Sequence, residues 1–197
     1  VAYPVSHAQD AIFTGGKMDS LTAIVVMGVS GCGKSSVGTA IAVRSGGHMI
    51  EGDAYHSVES IAKMQAGIAL EDADRAGWLE RLCEALQASV RRGERPVLAC
   101  SALKRRYRET LRQAVPGLGF VFLELSKAAA RERVALRLGH FMAPTLIDSQ
   151  FATLEPPTGE PLTLVLDALQ PASTLADQVD AWLTLKSVPG HTYRSVR

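Results

Sequence analysis

Gly28-Val29-Ser30-Gly31-Cys32-Gly33-Lys34-Ser35 follows directly on the apolar run Ala23-Ile24-Val25-Val26-Met27. The spelling matches G-x-x-x-x-G-K-[ST], the loop that cradles the phosphates of a nucleoside triphosphate. A chain that turns sharply and aims successive N–H groups at one anion needs backbone angles that glycine reaches cheaply. Lys34 then supplies a point charge for the β- and γ-phosphates, and Ser35 a hydroxyl for Mg2+. The Ala/Val-rich stretch 34–45 has helical character, so its positive end also faces the anion. A β-branched strand before the loop and a helix after it are the setting that this motif requires.

Outward from the loop, strand and helix signals alternate, which predicts an α/β fold: a five-stranded parallel sheet covered by helices on both faces. Strands are expected at 23–28, 48–52, 96–101, 119–125 and 162–167. Helices are expected near 34–45, 58–66, 74–92, 103–114, 126–138, 145–154 and 173–186. Within 74–92, Trp78, Leu82, Leu86 and Val90 recur every four residues and form one buried stripe. Turns are marked by Pro96, Pro116-Gly117 and Pro156-Pro157.

In such sheets ligands sit beyond the carboxyl ends of the strands. The second strand ends in Glu51-Gly52-Asp53-Ala54-Tyr55-His56. Asp53 can take a proton from an attacking hydroxyl, hold Mg2+ through water, or cap the next helix. His56 is either a hydrogen-bond partner of the substrate or a packing histidine. The third strand runs into Ser101-Ala102-Leu103-Lys104-Arg105-Arg106-Tyr107-Arg108. Leu103, Tyr107 and Leu111 form an apolar stripe, and Lys104 and Arg108 flank it near the top of the sheet, where cations suit an anionic co-substrate. Arg105 and Arg106 read as solvated. The acidic run Glu71-Asp72-Ala73-Asp74 suits a helix start, and Arg75 either reaches the site or pairs locally. Arg131, Arg133 and Arg137 precede Leu138-Gly139-His140-Phe141-Met142, as in a lid over a nucleotide or in a solvated basic helix.

At 197 residues the chain suits one domain, over 21–187. A disordered leader is expected at 1–20, with Met18 as the native start, and a flexible tail at 188–197. A net charge of +1 gives no broad attraction to nucleic acid or anionic membranes. Three cysteines, Cys32, Cys83 and Cys100, at unhelpful spacings fit a reduced, cytoplasmic setting. Cys32 reads as a small side chain within the loop, not an activated thiol.

These stretches together resemble the small gluconate kinases of the phosphate-loop type, a fold shared with nucleoside monophosphate, shikimate and adenylylsulfate kinases. The likeness is carried by Met27 to Ser35, Glu51-Gly52-Asp53 with His56, and Ile61-Ala62-Lys63-Met64. It continues through Asp72, Asp74-Arg75, Trp78-Leu79, Cys100-Ser101-Ala102-Leu103-Lys104, Tyr107-Arg108, Gly139-His140-Phe141-Met142 and Ser149-Gln150-Phe151. The resemblance implies ATP- and Mg2+-dependent phosphorylation of D-gluconate by a cytoplasmic enzyme, often a homodimer, with a lid near 138–148. By position it assigns Gly28, Val29, Ser30, Gly31, Cys32, Gly33, Lys34, Ser35 and Ser36 to ATP, with Ser35 and Asp53 toward the metal. Asp53 faces the reacting hydroxyl. The sugar-acid pocket draws on Asp53, His56, Arg75, Lys104, Arg108 and His140, and the nucleotide lid on Arg133 and Arg137. Ser57, Ser60, Ala76-Gly77 and Leu138 depart from the family's usual residues, the last on the lid. A shikimate or nucleoside monophosphate kinase is the nearest alternative. A nucleotide switch is disfavoured by the lack of a guanine-reading N-K-x-D element.

Overall fold

The computed structural model describes residues 21–136 and 146–187. Five parallel strands form one sheet: β1 (Ala23–Met27), β2 (His48–Glu51), β3 (Pro96–Ala99), β4 (Leu118–Glu124) and β5 (Thr163–Asp167), in the order β2-β3-β1-β4-β5. Parallel neighbours cannot be joined by tight hairpins, so each connection is a helical crossover. The helices are α1 (Lys34–Ser45), α2 (Val58–Gln65), α3 (Asp72–Arg91), α4 (Arg105–Ala114), α5 (Lys127–Ala135), α6 (Leu146–Thr153) and α7 (Ala172–Ser187). The five strands and seven helices lie where the sequence pattern predicts them, within a few residues at each end. One element was not anticipated, a 3-10 turn at Gly52–Tyr55 directly after β2.

β1 is buried along its whole length and feeds both cores, because successive strand side chains face opposite ways. Ile24 and Val26 pack with Val37 and Ile41 of α1, Leu123 of β4 and Leu175 and Val179 of α7. Ala23, Val25 and Met27 pack on the other face with Trp78, Leu82 and Leu86 of α3, Tyr107 and Leu111 of α4, and Phe120 and Phe122. The four-residue stripe on α3 is therefore core, as its spacing predicts. Since β1 lies between β3 and β4, the chain leaves it at the point where strand order reverses. A crevice at the carboxyl edge follows from that topology.

Residues 1–20, 188–197 and 137–145 lie outside the described residues. The expected leader and tail therefore go undescribed, as do Arg137, His140 and the lid up to residue 145.

Candidate active site

The chain turns out of β1 at Gly28, where φ is +141° and a Cβ would sit 2.8 Å from both Cys32 Sγ and the Leu123 carbonyl. No side chain fits there. The Gly28 N–H donates to the Ser101 carbonyl at 3.3 Å, which ties the phosphate loop to the exit of β3. Gly33 caps α1 in the left-handed region, at φ +94°, with open space where a Cβ would be. The loop therefore stays open on the side where the first N–H groups of α1 lack acceptors within the helix. Lys34 Nζ reaches back to the Val29 carbonyl at 3.1 Å, so its charge lies over the loop. Burial pushes the Cys32 thiol up against the lowering influence of Lys34 and Arg133. Cys32 is thus an inert filler, as its sequence context suggests.

Two elements brace the loop from the α5–α6 side. Arg133 Nη1 donates to the Gly31 carbonyl at 3.4 Å. Gln150 on α6 grips Ser30 twice: its Oε1 accepts from the Ser30 N–H at 2.7 Å, and its Nε2 donates to Ser30 Oγ at 3.1 Å. Arg133 accordingly sits against the loop and not out on a solvated face.

On the other side of β1, the turn after β2 carries Asp53 and His56. Gly52 is required there, because a Cβ would lie 2.5 Å from the Ala99 carbonyl. Two side chains of α3 hold the turn: Trp78 Nε1 donates to the Gly52 carbonyl at 2.8 Å, and Arg81 Nε to the Tyr55 carbonyl at 2.9 Å. The His56 ring stacks on Trp78, with centroids 4.8 Å apart and planes within 3°. Burial lowers the His56 pKa below its ordinary 6.5; Asp53 opposes the shift, while Arg75 and Arg81 reinforce it. His56 is therefore neutral near pH 7. Between the two sides lies Cys100, whose thiol burial pushes up to about 12. Lys34 lowers that value while Asp53 and Glu51 raise it, so Lys34 and Asp53 act electrostatically on the same strand end.

A cationic cluster completes the edge. Lys104 Nζ bonds both Asp72 oxygens, at 2.8 and 3.0 Å, and Asp72 also accepts from Tyr107 Oη and pairs with Arg106. These donors, Arg106 foremost, hold the Asp72 carboxyl well below the usual carboxylate range. Arg75 lies 6.0 Å from the Tyr107 ring and donates to the Leu70 carbonyl at 2.6 Å. It both pairs locally and joins the cluster. The structure thus brings Lys34, Ser35, Asp53, His56, Arg75, Lys104 and Arg133 to one edge of the sheet.

Two expectations are corrected. Arg106 is not simply solvated but pairs with Asp72, whereas the Arg105 side chain bonds its exposed neighbour Glu109 and its N–H donates to the Glu155 carboxylate. Arg108 does not face the pocket. It is fully buried, paired with Glu160, and donates to the carbonyls of Ala102, Leu103 and Glu155. The reason is local: Lys104 has extended backbone and caps α4 from outside. It is therefore not on the same helical flank as Arg108, and the two side chains diverge. The sequence assigns Gln150, Trp78 and Arg81 no role in the site. Trp78 could be placed in the core by its stripe and Gln150 among the residues of the family resemblance, but neither signal pairs a helical glutamine with a loop more than a hundred residues away.

The gluconokinase of Gluconobacter oxydans is 44% identical over 157 residues, covering 79% of this chain and 88% of that protein. The chain belongs to the gluconokinase family. The thermosensitive gluconokinase of Escherichia coli is 38% identical over 141 residues, 72% of this chain and 75% of that one. The crystal structure of a gluconokinase from Sinorhizobium meliloti matches with a TM-score of 0.76 and 46% identity, across 85% of this chain and 95% of that one. No family model matches the chain. This gluconokinase-family fold is a phosphate-loop kinase fold, as the motif and strand order require. Among the described residues no group of three or more His, Cys, Asp or Glu could hold a metal by itself. The Ser35 hydroxyl and the Asp53 carboxylate are oxygen donors, the kind that Mg2+ takes alongside substrate phosphates. No described helix is long and apolar enough to cross a membrane. A cleft of about 360 Å3 between Thr22, Arg44, Pro96 and Asp180 opens at the amino-terminal edge of the sheet, opposite this site.

Proposed function

We propose that this kinase transfers the γ-phosphoryl group of ATP to the terminal hydroxyl of D-gluconate, giving 6-phospho-D-gluconate and ADP. The observation that carries the reading is the placement of an anion-binding loop at the exit of β1 beside a carboxylate, Asp53, at the exit of β2. Arg75 and Lys104, gathered around the Tyr107 ring at 6.0 and 5.9 Å, supply the cations of the reading. Gluconate needs such cations for its carboxylate and hydrogen-bonding groups for its hydroxyls.

In this reading the loop amides and Lys34 hold the triphosphate, and Arg133 steadies the loop from below. Lys104, oriented by Asp72, and Arg75 receive the sugar-acid carboxylate. Neutral His56, held flat on Trp78, accepts or donates to a hydroxyl without adding charge. Asp53 takes the proton from the attacking hydroxyl as its oxygen bonds to the γ-phosphorus and the bond from that phosphorus to the ADP oxygen breaks. Phosphoryl transfer needs chiefly positioning and charge stabilisation, so one placed carboxylate is sufficient protein chemistry. Ser35 and Asp53 would hold Mg2+, which supplies charge neutralisation on the phosphate oxygens.

The test is ADP release from MgATP with gluconate, shikimate or AMP supplied separately. Turnover with gluconate alone is expected. Turnover only with shikimate or AMP would overturn the assignment.

A further inference from the structure

The contact between Gln150 and Ser30 spans 120 residues and consists of two hydrogen bonds of opposite sense. Gln150 lies within α6, but the contact uses its side-chain amide and not its backbone, so the pair has no part in building the helix. α6 does not depend on it. Leu146 and Ile147 are buried in the two adjoining apolar clusters, and Asp148 is paired with Lys127 and Arg131 of α5 at 2.7 and 2.6 Å. The helix is thus placed by packing and ion pairs one turn before Gln150, and Gln150 is presented to the loop from a fixed platform.

The phosphate loop has the opposite character. Gly28, Gly31 and Gly33 all have positive φ, and glycine loses more conformational freedom on ordering than any other residue. A loop left mobile would pay that entropy each time an anion bound, and preorganised donors avoid it. We infer that Gln150 is a positioning residue for the nucleotide, a two-point staple that fixes the phosphate loop at Ser30 before ATP arrives. It acts on the phosphates through the loop amides. Arg133 at Gly31 and Ser101 at Gly28 fix the residues on either side, so the three contacts together span the glycine-rich half of the loop.

This inference rests on the kinase reading above, and its test separates the two. Gln150→Met keeps length and packing while removing both hydrogen bonds. Gln150→Glu keeps an acceptor for the Ser30 N–H but places a negative charge beside a loop that binds anions. Calorimetric titration with MgADP reads loop preorganisation directly, whichever acceptor the enzyme uses. Gln150→Met should weaken MgADP binding about tenfold, a loss that two neutral hydrogen bonds support, and Gln150→Glu should weaken it more. The KM for gluconate at saturating ATP should stay at the wild-type value in Gln150→Met. Unchanged MgADP affinity in both variants, or a loss confined to thermal stability, would overturn the inference. Absence of gluconate turnover in the wild type would instead overturn the kinase reading and leave the staple to be judged on MgADP affinity.

Discussion

Asp53 and His56 sit three residues apart on one tight turn, yet their environments assign them different work. Asp53 is partly exposed, and the proposed reaction gives its carboxylate the proton of the attacking hydroxyl. Asp53→Asn keeps the shape and removes the base, so kcat should fall about a hundredfold or more, in the range of positioned acid–base groups. Steady-state kinetics with gluconate decides it: a change confined to KM would make Asp53 a binding residue only. His56 is held neutral, with a buried Nδ1 that has no hydrogen-bond partner among the described residues. Its pKa in the fold lies below the 6.5 of the free side chain, so below that pH the unfolded chain binds the proton first. Stability should therefore be fully present above pH 6.5 and decline as pH falls toward the folded value. Urea unfolding at pH 7.5 and 5.5 reads this, and His56→Phe, which keeps the stack on Trp78, should show a shallower decline. Equal declines in the two proteins would remove His56 as the titrating group.

The strand exits show why some of this molecule is legible in its sequence and some is not. The loop after β1 is spelled out, because anion binding there depends on backbone geometry and hence on glycine at fixed spacings. β1 and α3 are legible for the same kind of reason, since the apolar runs repeat at the periods that bury them. The turn after β2 is different. Asp53 and His56 can be read as candidates, but what holds them is the Trp78 indole N–H on the Gly52 carbonyl and Arg81 on Tyr55, contacts between elements that no local pattern encodes. A helical wheel misplaces Arg108 because it assumes that the helix already includes Lys104; α4 begins one residue later. The Trp78 contact has a measurable consequence. Trp78→Phe keeps an aromatic platform for His56 but removes the bond to Gly52, costing about 1 kcal/mol of stability. Because that bond fixes the turn bearing Asp53, kcat/KM for gluconate should fall severalfold while MgADP affinity stays constant. If both substrates suffered alike, the effect would be a general loosening of the core.

Arg108 and Glu160 connect parts of the chain that the sheet alone does not. Ala102, just past β3, has a left-handed backbone at φ +43°, a conformation that costs a non-glycine residue energy and persists only where the surroundings enforce it. Arg108 enforces it: one guanidinium nitrogen bonds the Ala102 and Leu103 carbonyls, and the other the Glu155 carbonyl and Glu160. Glu155 adds its own N–H to the Leu103 carbonyl and its carboxylate to the N–H of Arg105. The segment between α6 and β5 is thereby stitched onto the β3 exit that presents Lys104 to the crevice. Arg112 shares Glu160 at 2.8 Å, so one carboxylate serves two guanidinium groups. Removing one partner of a buried pair typically costs about 3–5 kcal/mol, against a total stability of about 5–15 kcal/mol for a domain. Arg108→Met should therefore destabilise the fold by about 3 kcal/mol, the lower end of that range, because Arg112 still neutralises Glu160. Arg108→Lys should do little better, since an ammonium cannot span four acceptors as a planar fork does. Denaturant unfolding of both variants, with gluconate KM measured under conditions where each stays folded, separates a structural arginine from a substrate-binding one. A full loss of gluconate affinity at wild-type stability would return Arg108 to the pocket and contradict its burial here.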